Sequence, residues 1–170
     1  FDPPHLAHVE LPRLAMRAVG ADAVAYVPAG QQPLKPAGPH AGAQDRLAML
    51  NLALQGHNWA VVLTDEIDRD QRGPSYTVDT LERLKRDLGE DVQLYFILGL
   101  DALEQFHRWE QPARIIELCQ LAIASRPGFQ NSRILDEQLG RYPNLGSKVN
   151  FVAAPVMDIS GSSIRQRASE

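Results

Sequence analysis

Apolar residues recur at helical spacing from Leu6 through Val9, Leu14, Ala15 and Ala18, which predicts a first helix. Pro12 is expected to kink or interrupt it, because proline brings no backbone N–H. Residues 23–27 (AVAYV) form a short β-rich run that ends at Pro28 and feeds a Pro- and Gly-rich loop through Gly42. Helical spacing returns over 45–55, and 60–64 (AVVLT) then runs apolar without alternation, as a strand covered on both faces does. A polar loop over 65–74 leads to a helix over 77–88, with Thr77 or Ser75 as its cap and Gly89 as its stop. Further strands are expected at 92–98, 121–124 and 149–153, with helices at 112–118 and near 132–139 between them. Asp101 and Glu104 have capping-box spacing, and a last helix starts near Ile164. Short apolar strands alternating with helices, without internal repeats, specify a parallel α/β sheet with right-handed crossovers. Ligands of such sheets sit at the carboxyl ends of the strands.

Composition narrows the class. A chain of 170 residues with 44% hydrophobic and 22% charged residues fits one soluble globular domain over 1–170, large enough to bury a core without disulfides. No apolar run approaches the ~20 residues of a membrane span. Seventeen Lys and Arg against 21 Asp and Glu leave a net charge of -4, so neither nucleic acid nor a membrane is an expected partner. Cys119 stands alone in an apolar stretch, which excludes disulfides and thiolate zinc clusters and suits a buried structural thiol in a reducing, cytoplasmic setting. The chain opens at Phe1 without a signal peptide and stops soon after Ile164-Arg165-Gln166-Arg167 begin a helix, so it reads as a fragment trimmed at both ends.

Two segments carry candidate chemistry. In FDPPHLAH, His5 and His8 lie three residues apart and share one face of a helix's first turn, aimed at the same ligand. Metal ligation and anion contact compete, but the H-E-x-x-H zinc spacing is missing. Free amides and partial positive charge at a helix start, with two imidazoles added, make a phosphate site. Exposed or capping histidines without a role remain the plain alternative. ISGSSIR, residues 159–165, places Ser160, Gly161 and Ser162 where a helix opens, with Arg165 one turn on. Taken alone, an ordinary N-cap explains it as well.

FDPPHLAH resembles the H-x-G-H motif of the nucleotidyltransferase superfamily, and ISGSSIR is similar to its I-S-S-T-x-I-R motif. GPSYTVDTL at 73–81, GLDALEQFHRW at 99–109 and SRPG at 125–128 fall between them in the order found in bacterial nicotinate-nucleotide adenylyltransferases. The resemblance runs the length of the chain. It implies a Rossmann-like open parallel sheet with flanking helices, and transfer of the adenylyl group of ATP to nicotinate mononucleotide with Mg²⁺ accompanying ATP. By the same resemblance His5 and His8 are catalytic and contact the ATP phosphates. Gly99 and Asp101 meet adenosine, although Asp101 could equally be only a helix cap. Ser160, Ser162 and Arg165 hold the triphosphate. Lys35, in PAGQQPLKP, is assigned to ATP and Arg46 to the nicotinate nucleotide, each as a cation for phosphate, with a solvated surface charge as the alternative. Trp109 resembles the ring-stacking aromatic of the nicotinate half, or else is a core tryptophan, while Tyr76 and Thr77 lie in the segment that meets the pyridine carboxylate. Phe106 is expected in the core.

Three departures stand out. Ala7 occupies the glycine position of H-x-G-H, Leu34 a frequent histidine, and Gly161 a serine of the last motif. The family's first strand and glycine-rich loop, whose amides help hold the phosphates, precede the FDP segment and are missing from this chain, so the fragment is expected to be inactive although its parent acts. Competing functions are adenylyl transfer to nicotinamide mononucleotide or phosphopantetheine, a nucleotide-binding sensor without turnover, and a structural interaction module. A homo-oligomer is compatible with the sequence.

Overall fold

The computed structural model of the chain describes residues 1–34, 38–68, 73–125, 133–155 and 157–170. In chain order its elements are α1 (Leu6–Val19), β1 (Val24–Tyr26), α2 (Ala43–Ala53), β2 (Ala60–Val62), α3 (Asp65–Asp68), α4 (Thr77–Leu88), β3 (Tyr95–Gly99), α5 (Leu100–Glu104), α6 (Pro112–Leu118), β4 (Gln120–Ser125), α7 (Arg133–Arg141), β5 (Val149–Ala153) and α8 (Gly161–Ala168). Short 3₁₀ turns cover Phe106–Arg108 and Pro143–Lys148. The chain gathers into two compact units, Phe1–Ser75 with Val156–Glu170, and Tyr76–Pro155.

In the first unit β1 and β2 pair in parallel, Val24 opposite Ala60 and Tyr26 opposite Val62, with α2 as the crossover between them. Helix α1 buries Val9 and Ala15 and ends at Gly20, whose φ of 69° is the left-handed conformation that stops helices at little cost to glycine. The interruption expected at Pro12 does not occur, since α1 runs through it. Pro12 has no N–H to give to the carbonyl four residues back, that of His8, and the Tyr26 hydroxyl donates to that carbonyl at 3.0 Å instead.

In the second unit β3, β4 and β5 form a parallel sheet in that order, with Phe96 opposite Leu121 and Ile123 opposite Phe151. Leu121, Ala122 and Ile123 of the central strand have no exposed surface, which explains a run without polar alternation. They join Leu98, Leu103, Phe106, Ile115 and Leu145 in the core, along with Val78 and Leu81 from the apolar face of α4. Phe106 is fully buried, as expected. Cys119 is buried as well, its thiol donating to the Ile115 carbonyl at 3.3 Å, and burial pushes its pKa up to about 12.

The parallel α/β class read from the alternation holds, with the five described strands arranged as a pair and a triplet. Several local expectations do not. Strand β3 starts at Tyr95 rather than 92, because Val92 and Gln93 lie exposed ahead of the sheet. The polar loop at 65–74 contains the single turn α3, which buries Ile67 and is closed by Thr64 Oγ1 donating to Asp68 at 2.7 Å. Tyr76, not Thr77 or Ser75, is the residue before the first turn of α4, although Gly89 does stop that helix. Helix α5 begins beyond Gly99, so Asp101 sits inside its first turn and the Asp101–Glu104 capping box does not form. The helix expected near Ser132 begins at Arg133, Ser132 lying outside the described residues. No described helix is long and apolar enough to cross a membrane.

Candidate functional site

The first turn of α1 is assembled around the two histidines. His5 takes extended backbone angles just before the helix, and its carbonyl accepts the His8 amide at 2.8 Å. The His5 amide in turn donates to Nδ1 of His8 at 3.1 Å. That bond makes Nδ1 the acceptor and leaves the proton of a neutral imidazole on Nε2, the nitrogen able to donate to a ligand. The two rings stack with centroids 3.8 Å apart, and Phe1 meets the His8 ring edge-on at 5.0 Å. Burial, reinforced by the neighbouring His5, lowers the His8 pKa to about 4, so the ring is neutral near pH 7. Burial lowers His5 as well. Nδ1 of His5 is buried without a hydrogen-bond partner among the described residues.

The start of α8 is tied to this turn through Asp2. Ser160 accepts the Ser163 amide on its Oγ at 3.1 Å while Ser163 Oγ accepts the Ser160 amide at 3.3 Å, a reciprocal cap. The plain capping alternative for Ser160 is therefore realised, and its hydroxyl is engaged there. Arg165, on the next turn, donates from Nη2 to Ser162 Oγ at 3.1 Å and from Nη1 to the Asp2 carbonyl. The Asp2 carboxylate accepts the amides of His40 at 2.7 Å and Ala41 at 3.3 Å, just ahead of α2. Burial pushes the Asp2 carboxyl up, but those amides and the Arg165 charge outweigh it and hold the pKa below its ordinary value. Gly161 is pressed against the same carbonyl, for a Cβ there would lie 3.0 Å from the Asp2 oxygen. The glycine in place of a motif serine is thus matched to the close approach of the FDP segment.

Arg46 is buried at 5% exposure in the first turns of α2, its Nη1 donating to the Ala29 carbonyl at 2.6 Å and its Nε without a partner among the described residues. It lines a cavity of about 490 Å³ with Gly30, Gln31, His40 and Gly42. The solvated-charge alternative for Arg46 fails, because the side chain is not at the surface. Lys35 lies outside the described residues.

The remaining candidates belong to the second unit. Gly99 ends β3, and a Cβ on it would meet Asp101 Oδ1 at 2.6 Å, so the glycine lets the exposed carboxylate fold back over the strand end. Trp109 is half-buried, edge-on to Phe96 at 5.5 Å and 5.4 Å from Phe106, packed on the core. Tyr76 packs on the same core, and Thr77 opens α4.

Sequence reasoning missed Asp2, Ser163 and Tyr26. Asp2 stood inside a quoted motif, and Ser163 stood three residues after Ser160 at capping-box distance. Tyr26 carried no signal beyond the missing N–H of Pro12, 14 residues earlier.

The chain is 39% identical over 167 residues, 98% of its length and 80% of the relative's, to a probable nicotinate-nucleotide adenylyltransferase of Dehalococcoides mccartyi. It is 36% identical over 170 residues to one from Thermomicrobium roseum, covering 100% of this chain and 77% of that one. Among solved structures, Plasmodium falciparum nicotinic acid mononucleotide adenylyltransferase complexed with NaAD matches with a TM-score of 0.71 at 18% identity, over 98% of this chain and 78% of that one. The same enzyme complexed with APC matches at 0.68 and 17%, with the same coverage. These structural likenesses establish the α/β nucleotidyltransferase fold. The cytidylyltransferase-like family model matches residues 1–167, and with the motifs and fold above the chain belongs to the cytidylyltransferase-like family.

Proposed function

We propose that the protein transfers the adenylyl group of ATP to nicotinate mononucleotide, giving nicotinate adenine dinucleotide and pyrophosphate. One observation carries the reading: Asp2 joins the histidine-bearing turn of α1 to the serine- and arginine-bearing start of α8, so groups suited to phosphate meet in one unit. The names of the curated relatives supply the acceptor.

The chemistry requires no covalent enzyme intermediate. A phosphate oxygen of the mononucleotide attacks the α-phosphorus of ATP, the bond from that phosphorus to the bridging oxygen breaks, and pyrophosphate leaves with the electron pair. The protein's task is alignment and stabilisation of developing negative charge. His8 Nε2–H is held ready for that charge by the bond on its Nδ1, which keeps the neutral ring in the tautomer that donates from Nε2. A fixed donor of this kind is worth ~3 kcal/mol of barrier. The motif resemblance assigns Ser162 and Arg165 to the triphosphate, Gly99 and Asp101 to adenosine, and Arg46, Tyr76, Thr77 and Trp109 to the nicotinate nucleotide.

Magnesium is implied by the family. Among the described residues no group of three or more His, Cys, Asp or Glu side chains could hold a metal ion, so these residues do not build a cage for it. Bound with ATP, the ion would shield the charge of the triphosphate. The same reading places the enzyme in the cytoplasm.

The test is pyrophosphate release from ATP by the complete natural chain, with nicotinate or nicotinamide mononucleotide as acceptor. Release that is strongly faster with the nicotinate form supports the reading. Equal rates overturn the acceptor, and no release with either overturns turnover in favour of a nucleotide sensor.

A further inference from the structure

We infer that Tyr26 is a positioning residue for His8, acting through the backbone carbonyl that Pro12 leaves without a helical partner. The inference rests on the reading of His8 given above and concerns what fixes that ring. Any other residue at position 12 would close the helical bond to the His8 carbonyl. Proline cannot, and an unpaired carbonyl in a partly buried turn costs about 1–3 kcal/mol. The Tyr26 hydroxyl fills the place at 3.0 Å.

Tyr26 is suited to hold something still. It is 3% exposed and lies on β1, where it is paired with Val62, and its own carbonyl accepts the Leu63 amide at 2.9 Å. Its ring lies 5.8 Å from that of Phe1 and 6.4 Å from that of Trp59. Burial, with help from Glu10, pushes the phenol up to about 12, which keeps it a donor under all working conditions.

His8 is consequently gripped at two atoms from two directions. The His5 amide fixes Nδ1 and hence the tautomer, and Tyr26 fixes the backbone carbonyl to the sheet. A helical side chain points back toward the N-terminus, so the tilt of this first turn sets where Nε2–H is aimed. The tyrosine bond thus ties the turn directly to β1.

The test uses the complete natural chain with Tyr26→Phe, Pro12→Ala and the double variant. Tyr26→Phe keeps the ring and removes the donor. It is expected to lower kcat about fivefold, the rate equivalent of one hydrogen bond of ~1 kcal/mol, with KM for ATP within about twofold. Pro12→Ala returns an N–H to the helix, so the double variant should regain the kcat of Pro12→Ala alone. A Tyr26→Phe enzyme with lowered Tm but unchanged kcat overturns the inference, as does a double variant no faster than Tyr26→Phe. The ¹⁵N shifts of the His8 ring give a readout independent of turnover. All three should keep Nδ1 as the acceptor, but Tyr26→Phe should shift the Nδ1 resonance as the turn tilts and the bond from the His5 amide lengthens, and the double variant should return it to the wild-type position. If wild type turns over neither mononucleotide, the reading of the reaction fails while this signature still decides the latch, and identical ring shifts in all variants overturn it.

Discussion

Replacing Gly161 by alanine sets two opposed effects against each other, and the sign of the result is informative. Gly161 is the first residue of α8, and alanine in place of glycine ordinarily stabilises a helix by up to ~1 kcal/mol. Here the new Cβ would lie 3.0 Å from the Asp2 carbonyl and 3.3 Å from Arg165 Nη1, against 3.4 Å where ordinary contact begins. The neighbour that must yield is backbone, held by its neighbouring carboxylate on the His40 and Ala41 amides, so it cannot swing aside as a side-chain tip would. Overpacking of this kind costs about 1–3 kcal/mol, leaving a net loss of about 1 kcal/mol and a Tm roughly 3 °C lower. Asp2 lies three residues before His5, and a displacement of about 0.4 Å passed to that turn costs about sixfold in kcat, scaled from ~100-fold per ångström. Differential scanning fluorimetry and steady-state pyrophosphate release measure the two effects. Gly140→Ala is the control, since that glycine sits exposed in α7 with open space where its Cβ would go, and it should raise stability by about 0.5–1 kcal/mol. If Gly161→Ala stabilises the protein as much as Gly140→Ala does, the close contact with the FDP segment is refuted.

His8→Ala should lower kcat by about 100-fold or more while shifting Tm little, measured by the same release assay and thermal melts. Gly99→Ala should leave stability nearly unchanged, because the Cβ meets only the carboxylate tip of Asp101, yet raise KM for ATP about tenfold by turning that carboxylate away; an unaltered KM removes Asp101 from the adenosine contacts. The folded pKa of His8, about 4, lies below its ordinary 6.5, so the unfolded chain binds the extra proton first as pH falls. Stability from this group is full above pH 6.5 and declines down to about pH 4, and urea melts of His8→Gln should show a flatter slope across that window. For Asp2 the folded pKa also lies below its ordinary 3.8, so its stabilisation is full above that value and lost as pH drops through the lower one; Asp2→Asn should reduce stability at neutral pH and converge with wild type in strong acid.

What the sequence disclosed depended on the range of the interactions involved. Strand β4 was legible because a central strand is apolar on both faces, and α4 because Val78 and Leu81 repeat at helical spacing before Gly89. Turn α3 escaped notice because Asp65-Glu66-Ile67-Asp68 looks like a polar loop until Ile67 is seen to be buried. The Asp101 cap was misread because its spacing to Glu104 fits a capping box, whereas the chain has already entered the helix after Gly99. Both motif ends were legible as phosphate-suited helix starts, but their connection was not, since it runs through a main-chain carbonyl that side-chain identity does not advertise. The burial of Arg46 was equally hidden, because its partner is the carbonyl of Ala29 in a loop.

The bond between Arg165 and the Asp2 carbonyl joins positions 163 apart in the sequence. A ribosome adding about 5–20 residues per second needs roughly 8–30 s to make the intervening polypeptide. During that interval the nascent imidazole turn exists without its guanidinium partner, and Tyr76–Pro155, a continuous stretch with its own apolar interior, emerges whole. The link between the imidazole turn and the start of α8 therefore forms only after all of Tyr76–Pro155 has been made, and a product lacking Arg165 leaves the Asp2 carbonyl without its guanidinium.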